Sequence, residues 1–193
     1  MFKPQIRGMF GEKSIAFLLS LLDKKKYKVL NNVLLETKNG TVQIDHIVVS
    51  NYGIFVIETK NYSGIILGKE NEKYWKQVLG KNKFNLYNPI KQNYVHVTAL
   101  KEVLTKFGNL KIIPIVVFTM RADLKIESNT DVVYSYKLLR TIKKYKEECI
   151  SDDLKKLIFL CLKELNIYSK KNITRHVKNV KEKKKSKMEK MSK

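Results

Sequence analysis

The chain predicts an α/β fold, a mixed central sheet flanked by helices, and three observations carry that prediction. Two long apolar runs, Thr41 to Val49 and Ile54 to Asn61, flank the turn signal Ser50-Asn51-Tyr52-Gly53, as a β-hairpin requires. A helix start at Asn88-Pro89 precedes a buried-strand run centred on Ile112 to Phe118, the order of a βαβ-like crossover. Helical periodicity near both ends, Gly11 to Leu22 and Asp152 to Tyr168, supplies helices to cover the sheet.

Taken in order, Gly11 to Leu22 places Ile15, Phe17, Leu18, Leu19, Leu21 and Leu22 at helical spacing, with Glu12 in the first turn, where the helix dipole favours an acid whatever its function. Lys28 to Glu36 reads as the first strand, joined through Lys38-Asn39-Gly40, a strong hairpin signal, to the second. Gly53, at the end of the next turn, is free to take a positive φ. Tyr62-Ser63-Gly64 then turns the chain into Ile65-Ile66-Leu67, a short fourth strand. Trp75 follows in a polar segment, where it either caps the core edge or stacks on a base. Asn88 is an N-cap and Pro89 a first-turn proline for a helix reaching about Lys106, with Gln92 and His96 on one face. Leu110 to Met120 is a strand whose Pro114 belongs near its start or at a sheet edge. Val132 and Val133 add a short strand, and Tyr136 to Cys149 and Asp152 to Tyr168 close the chain as helices. Ser151 caps the second, with Asp152 and Asp153 in its first turn.

From Ser169 onward apolar periodicity fades, and eleven lysines or arginines meet only Glu182 and Glu189. This basic tail clamps DNA, touches acidic lipid or stays solvated. The whole chain carries a formal net charge of +21 on 193 residues, and about twelve of those charges remain without the tail, so the body itself favours a polyanion. Of the 39 basic residues only Arg7, Arg121, Arg140 and Arg175 are arginine. Lysine attracts phosphate but does not read guanine edges bidentately, so salt-sensitive, sequence-nonspecific binding is expected. No apolar run reaches membrane-span length, and Met1 to Gly11 lacks a signal-peptide core, which points to a cytoplasmic protein without integral membrane association. Cys149 and Cys161 have no metal-ligand neighbours in sequence and read as reduced, packed or half-buried thiols.

Against this background, three charges inside apolar strands stand out: Asp45, Glu58 and Lys60. Desolvating an unpaired charge costs several kcal/mol, so such groups are paired, neutralised or metal-bound. A hairpin centred between Asn51 and Tyr52 sets Asp45 opposite Glu58, Cβ atoms roughly 5 Å apart, and Lys60 shares the face of Glu58. Two acids at cross-strand contact repel unless a cation lies between them. One lysine balances them poorly, and a structural ion network is the weaker reading. Two carboxylates and a lysine suit Mg²⁺-dependent phosphodiester hydrolysis, since a hard cation takes a few carboxylate oxygens and keeps room for water and phosphate. Lys60 would orient or help deprotonate the attacking water and offset charge on the phosphorane. Adjacent His46 points away from Asp45 and reads as a packed histidine.

Gly11-Glu12, Gln43-Ile44-Asp45-His46, Gly53 through Glu58-Thr59-Lys60-Asn61, Gly64, Trp75 and Asn88-Pro89-Ile90-Lys91-Gln92-Asn93, in that order, resemble the nuclease-related domain (NERD) family, a branch of the PD-(D/E)xK restriction-endonuclease-like superfamily. The resemblance covers 8–120 and implies a nuclease core with a restriction-endonuclease-like mixed sheet there; the patterning beyond it predicts a strand and helical extension over 121–168 and a basic, flexible tail over 169–193. It implies catalytic roles for Asp45, Glu58 and Lys60 with Glu12 and Gln92 in support, and metal ligation by Asp45, Glu58 and the Thr59 carbonyl. Ile44 stands where the superfamily usually has proline, and His96 where a tyrosine often follows the glutamine by four residues. The expected cofactor is Mg²⁺, with Mn²⁺ as a substitute, and the expected partner is DNA, contacted by Lys13, Trp75, Lys91, His96, Lys183, Lys184 and Lys185. The expected activity is Mg²⁺-dependent hydrolysis of DNA phosphodiester bonds, as an endonuclease or an exonuclease, with little sequence specificity, in DNA processing, repair, mobile-element or defence contexts. No Walker-type loop or helicase motif occurs, so any motor acts in trans. The competing reading is a non-catalytic DNA-binding or assembly module on the same fold.

Overall fold

The computed structural model describes residues 4–191, with side chains described for 8–169, 171–180 and 182. Helix α1 (Pro4–Ser20) leads into an antiparallel meander of β1 (Tyr27–Thr37), β2 (Gly40–Ser50) and β3 (Gly53–Lys60). The chain then builds part of a second sheet with β4 (Gly64–Lys69), β5 (Tyr74–Leu79) and β6 (Asn82–Tyr87), and returns through α2 (Pro89–Val103) to β7 (Ile112–Phe118). β7 lies parallel to β3; β8 (Ala122–Glu127) lies parallel to β4, and β9 (Asp131–Tyr134) parallel to β7. Helices α3 (Leu138–Lys143), α4 (Asp152–Leu165) and α5 (Lys170–Met191) complete the described chain. The central sheet runs β1-β2-β3-β7-β9 and the second β6-β5-β4-β8.

Alternation along β3 explains the layers. Phe55 and Ile57 face Ile15 and Leu19 of α1 and Leu138 and Ile142 of α3, while Ile54 and Val56 face Val97 and Leu100 of α2 and Ile158 and Leu162 of α4. Because both faces of β3 are covered, its sequence is an apolar run rather than an alternating one. Each such side chain contributes about 1.5–3 kcal/mol by leaving water. A third cluster packs Trp75, Ile66, Ile90 and Phe118 where the second sheet meets the first.

The β2–β3 register is the one the turn dictates: Ser50 pairs with Gly53 and the ladder runs to His46 opposite Ile57, with Gly53 at φ +131°. Pro114 lies just before the first β7–β9 pair, Ile115 with Asp131, as its missing N–H requires. The structure also corrects several expectations. Helix α1 begins at Pro4, so Glu12 lies mid-helix and the first-turn dipole does not account for it. β5, β6 and β8 were not legible as strands, and Trp75 belongs to β5. The predicted 136–149 helix breaks after Lys143, because the following segment turns back to donate the Cys149 and Ile150 N–H groups to the Asn51 carbonyl. Cys149 is exposed rather than packed, and Cys161 is half-buried. The basic segment is helical: Ser169 caps α5 by accepting the Asn172 N–H (3.2 Å), and His176 meets Thr41 Oγ1 at 2.8 Å.

Candidate active site

The site lies at the open end of the β2–β3 hairpin, where pairing stops. Beyond His46 opposite Ile57 the next two facing residues are Asp45 and Glu58. On its other side β2 also loses its partner here: Asn32, in the left-handed region at φ +53°, interrupts the β1 ladder between Asn31–His46 and Val33–Ile44. Freed from both neighbours, Asp45 turns its carboxylate toward β3, and Oδ2 accepts the Thr59 N–H at 2.8 Å, where a strand carbonyl would otherwise serve.

Glu58 is 2% exposed, and its Oε1 accepts from Lys60 Nζ at 2.6 Å. Lys60 Nζ also donates to Gln92 Oε1 at 2.9 Å, which joins β3 to α2. His96 Nδ1 stands 3.3 Å from Glu58 Oε2. That spacing fits an ion pair, yet among the described residues neither atom has a hydrogen-bond partner, and burial, the largest influence on the ring, lowers the His96 pKa, so the contact is with a neutral imidazole. Glu58 Oε2 is therefore a buried carboxylate oxygen with no donor. Such an atom calls for a ligand or for strain elsewhere.

Electrostatics say the same. Burial first, then the charges of Glu58 and Glu12, hold the Asp45 carboxyl well above its usual range, against the opposing pull of Thr59 N–H and Lys60. Glu12 is likewise pushed up by burial and by Glu58. For Lys60, burial alone would lower the pKa, but Glu58 outweighs it, so the ammonium stays charged. Three acids thus crowd one lysine.

Two residues outside the predicted site set fix this geometry. Asn93, 0% exposed, donates to Val56 O (3.0 Å) and Ile115 O (3.1 Å), tying α2 across β3 and β7 and so setting Gln92 over Lys60. Asn88 caps α2 through Oδ1 and donates to the carbonyls of Lys69, Glu70 and Glu72, anchoring the helix start to the β4–β5 turn. Sequence showed Asn88 as a cap, but a buried asparagine inside a helix leaves no sequence signal of its partners. Gly11 acts similarly on the other side: a Cβ there would lie 3.0 Å from Asn61 Cβ, so glycine lets α1 cross β3 closely with Glu12 beside the site.

Asp45, Glu58, Lys60 and Gln92 thus come together, with Glu12 electrostatically part of the group. His96 joins them as a buried neighbour of Glu58 and, at 6% exposure, does not offer the nucleic-acid contact expected of it. Trp75 likewise cannot stack on a base: it is 0% exposed, stacked on Phe118 at 6.4 Å, and donates its indole N–H to Lys69 O. Lys13 is exposed and Lys91 half-exposed. Lys183, Lys184 and Lys185 lie on α5 with side chains outside the described residues. His46 is buried against Asn31 Oδ1 at 2.7 Å, and burial lowers its pKa to about 4, as a packed, neutral histidine requires.

Among the described residues no three His, Cys, Asp or Glu side chains form a metal cluster. Two carboxylates remain, Asp45 and Glu58, the second with an oxygen, Oε2, that lies 3.3 Å from His96 Nδ1 and accepts no hydrogen bond among the described residues; one or two carboxylates are the number that Mg²⁺ takes when substrate phosphate completes its shell. Among the described residues no helix is long and apolar enough to cross a membrane.

Comparison with known proteins agrees with the motifs. Residues 7–119 match the family model of the nuclease-related domain. An uncharacterized protein of Bacillus anthracis is 36% identical over 180 residues, covering 91% of this chain and 84% of its own. A solved protein of unknown function, AF1548, aligns over 68% of this chain and 53% of its own at 14% identity and a TM-score of 0.33, so the chain spans about half its length and the likeness is too low to build on. By the extent of the family match and the identity to that relative, the chain belongs to the nuclease-related domain family.

Proposed function

We propose that the chain is a metal-dependent nuclease hydrolysing DNA phosphodiester bonds with little sequence specificity, using Asp45, Glu58 and the Thr59 carbonyl to hold Mg²⁺ or Mn²⁺. The observation that carries the reading is the pairing deficit at the hairpin's open end. Glu58 has one oxygen on Lys60 and one on nothing, beside an Asp45 whose carboxyl is held protonation-prone by its neighbours. When bound, the cation would supply Lewis acidity toward the phosphoryl oxygens and lower the pKa of the attacking water. The protein supplies the rest. Lys60, kept cationic by Glu58 and aimed by Gln92, offsets the charge that grows on the phosphate oxygens. Gln92 offers its amide N–H₂ to the water or a phosphate oxygen, since its carbonyl is already occupied by Lys60. Asn93 holds that helix in register, and neutral His96 walls off Glu58 from water. Glu12 adds a third acid close enough to raise Asp45. The formal net charge of +21 supports a polyanionic substrate.

The test is cleavage of supercoiled and linear single-stranded DNA with Mg²⁺, Mn²⁺ or EDTA, comparing wild type with Asp45→Ala and Lys60→Ala. Metal-dependent cutting, lost in both variants, is expected. A wild type that binds these DNAs and never cuts them overturns the enzyme reading in favour of a binding module on the same fold.

A further inference from the structure

The second sheet presents an outward face that the acid–lysine site does not use. Trp75 and Gly68 point into the core, so by strand alternation Tyr74, Lys76 and Val78 of β5 point out, together with their ladder partners Tyr87, Asn85 and Lys83 of β6. Tyr74 is 51% and Tyr87 48% exposed, their ring centroids 6.1 Å apart at 75°. Lys73 Nζ lies 5.3 Å from the Tyr74 ring centre. From Lys73 to Tyr87 the chain carries Lys73, Lys76, Lys81 and Lys83 and no acid at all, whereas β8 across the sheet carries Asp123 and Glu127 beside Lys125. The acids of the preceding turn are engaged, Glu70 by Asn129 and Thr130 and Glu72 by the Lys69 N–H, and exposed aromatic faces beside these lysines match a ligand with both flat apolar rings and regular negative charge. Unpaired bases on a phosphate backbone are such a ligand, while a duplex hides its base faces. Lysines on the edge strand β6 also discourage another strand from pairing there, which disfavours a second copy of the chain.

We propose that the β5–β6 hairpin is a docking platform for single-stranded nucleic acid, with bases stacked on Tyr74 and Tyr87 and phosphates held by Lys73, Lys76 and Lys83. β6 feeds directly into the site: Tyr87 precedes the cap Asn88, and Gln92, bonded to Lys60, lies four residues further, about one helical turn or 5.4 Å along the axis. The platform rests on the nucleic-acid reading above and sharpens it, making the strand that enters the acid–lysine site an unpaired one.

The experiment is a fluorescence-anisotropy titration of the full chain in EDTA with an oligothymidine of about 15 nucleotides, of the order of one binding site, and with a duplex of equal length. Tyr74→Ala/Tyr87→Ala weakens single-strand binding at least about tenfold and duplex binding by less than about twofold, a base–aromatic stack being worth that much on Ala substitution. Tyr74→Phe/Tyr87→Phe, which keeps the rings, binds like wild type. Lys76→Glu/Lys83→Glu weakens binding and flattens its salt dependence, and serves as the decisive variant if the double alanine melts early. Unchanged single-strand affinity in both the alanine and glutamate pairs overturns the platform. So does equal loss on single strand and duplex, or loss of self-association by sedimentation with single-strand affinity intact. Because EDTA silences cleavage, a chain that binds this way and never cuts sinks only the enzyme reading, and one that cuts with both tyrosines dispensable sinks only the platform.

Discussion

At the closed end of the β2–β3 hairpin, Lys155, 3% exposed, gives its ammonium protons to Lys25 O (2.7 Å), Asn51 Oδ1 (2.7 Å) and Asp152 Oδ1 (2.6 Å). Asn51 in turn donates to Ile150 O and Asp152. At the open end, Lys60 gives protons to Glu58 and Gln92, while among the described residues Glu58 Oε2 and His96 Nδ1 go without partners and the Asp45 carboxyl is held above its usual pKa range. The ingredients match: one buried lysine, an acid, an amide. What differs is closure. A saturated network holds the turn to α4 and asks for nothing more, whereas one with surplus acid and an orphaned oxygen leaves bonds that a ligand can complete. Burial of charge alone does not separate the two ends; counting unmet bonds does.

Exchanging the lysines breaks the comparison most directly. Lys60→Met is expected to cut cleavage by about 10²–10⁴, the scale of one charge or proton-transfer device in a transition state. Its melting temperature in EDTA falls too, since Glu58 is left buried without a counter-charge, and Mg²⁺ restores part of the loss. Lys155→Met strands the Lys25 and Asn51 acceptors, costing about 3 kcal/mol or roughly 6–12 °C in melting temperature at this chain length. Mg²⁺ restores none of it. Scanning calorimetry with EDTA or Mg²⁺ reads both; equal metal rescue of the two variants would erase the distinction.

The two ends also titrate in opposite directions. Asp45 and Glu12 are raised, so their contribution is fully present below the ordinary carboxylate pKa and is lost as pH rises through the raised values. Asp152 is lowered, chiefly by its bond to Lys155, so its contribution is present above the ordinary value and is lost as pH falls through the lowered one. In EDTA, Asp45→Asn is therefore expected to raise the melting temperature by a degree or more near pH 8, about 1 kcal/mol at most, and to abolish stabilisation by Mg²⁺. Asp152→Asn lowers stability throughout the range above the ordinary carboxyl pKa and leaves the acid extreme unchanged, and does so slightly, its carboxyl being exposed. Thermal melts across the pH range decide it, and an Asp45→Asn protein still stabilised by Mg²⁺ would falsify the ligand assignment.

Asn93→Leu probes the link between packing and site. It removes two hydrogen bonds to Val56 and Ile115 and is expected to cost about 2 kcal/mol. If α2 carries Gln92, kcat falls several-fold as well while DNA affinity measured in EDTA holds. A stability loss with unchanged kcat would make Asn93 a packing residue alone.

How far these features were legible follows the physics of each. The central hairpin was readable because turn and register are local, and Asn51-Tyr52 fixed Asp45 opposite Glu58 without reference to the rest of the chain. Lys60 followed from alternation, and Gln92 from the motif resemblance. The second sheet was not readable: Gly68, Gly80 and five polar residues within β5 and β6 blur the alternation, and the buried face is supplied by Phe118 and Ile90 from distant sequence. His96 read as a surface contact, and Trp75 as a core-edge cap or a base stack, because their polar surroundings in sequence hide what α2 and the second sheet fold over. Lys155 was one lysine among many until its acceptors, Lys25 and Asn51, came from more than a hundred residues away. Completed networks are long-range by nature, so a sequence shows the charges and leaves their satisfaction unseen.

Gly11→Ala tests whether the open end depends on distance as finely as it does on charge. Inside a helix, alanine gains up to about 1 kcal/mol over glycine in propensity. Here the added Cβ meets Asn61 Cβ at 3.0 Å, a contact anchored next to the β3 backbone, so α1 must move by a few tenths of an ångström. The two effects nearly cancel, and the melting temperature is expected to stay within a few degrees of wild type. Glu12 moves with the helix, however, and its charge is one of those that set Asp45. Activity should fall two- to tenfold, with a higher Mg²⁺ concentration at half-maximal rate, since a small misplacement in a preorganised site costs far more in rate than in stability. A Gly11→Ala protein with wild-type metal dependence would mean that Glu12 takes no part in the site and that α1 serves the fold alone.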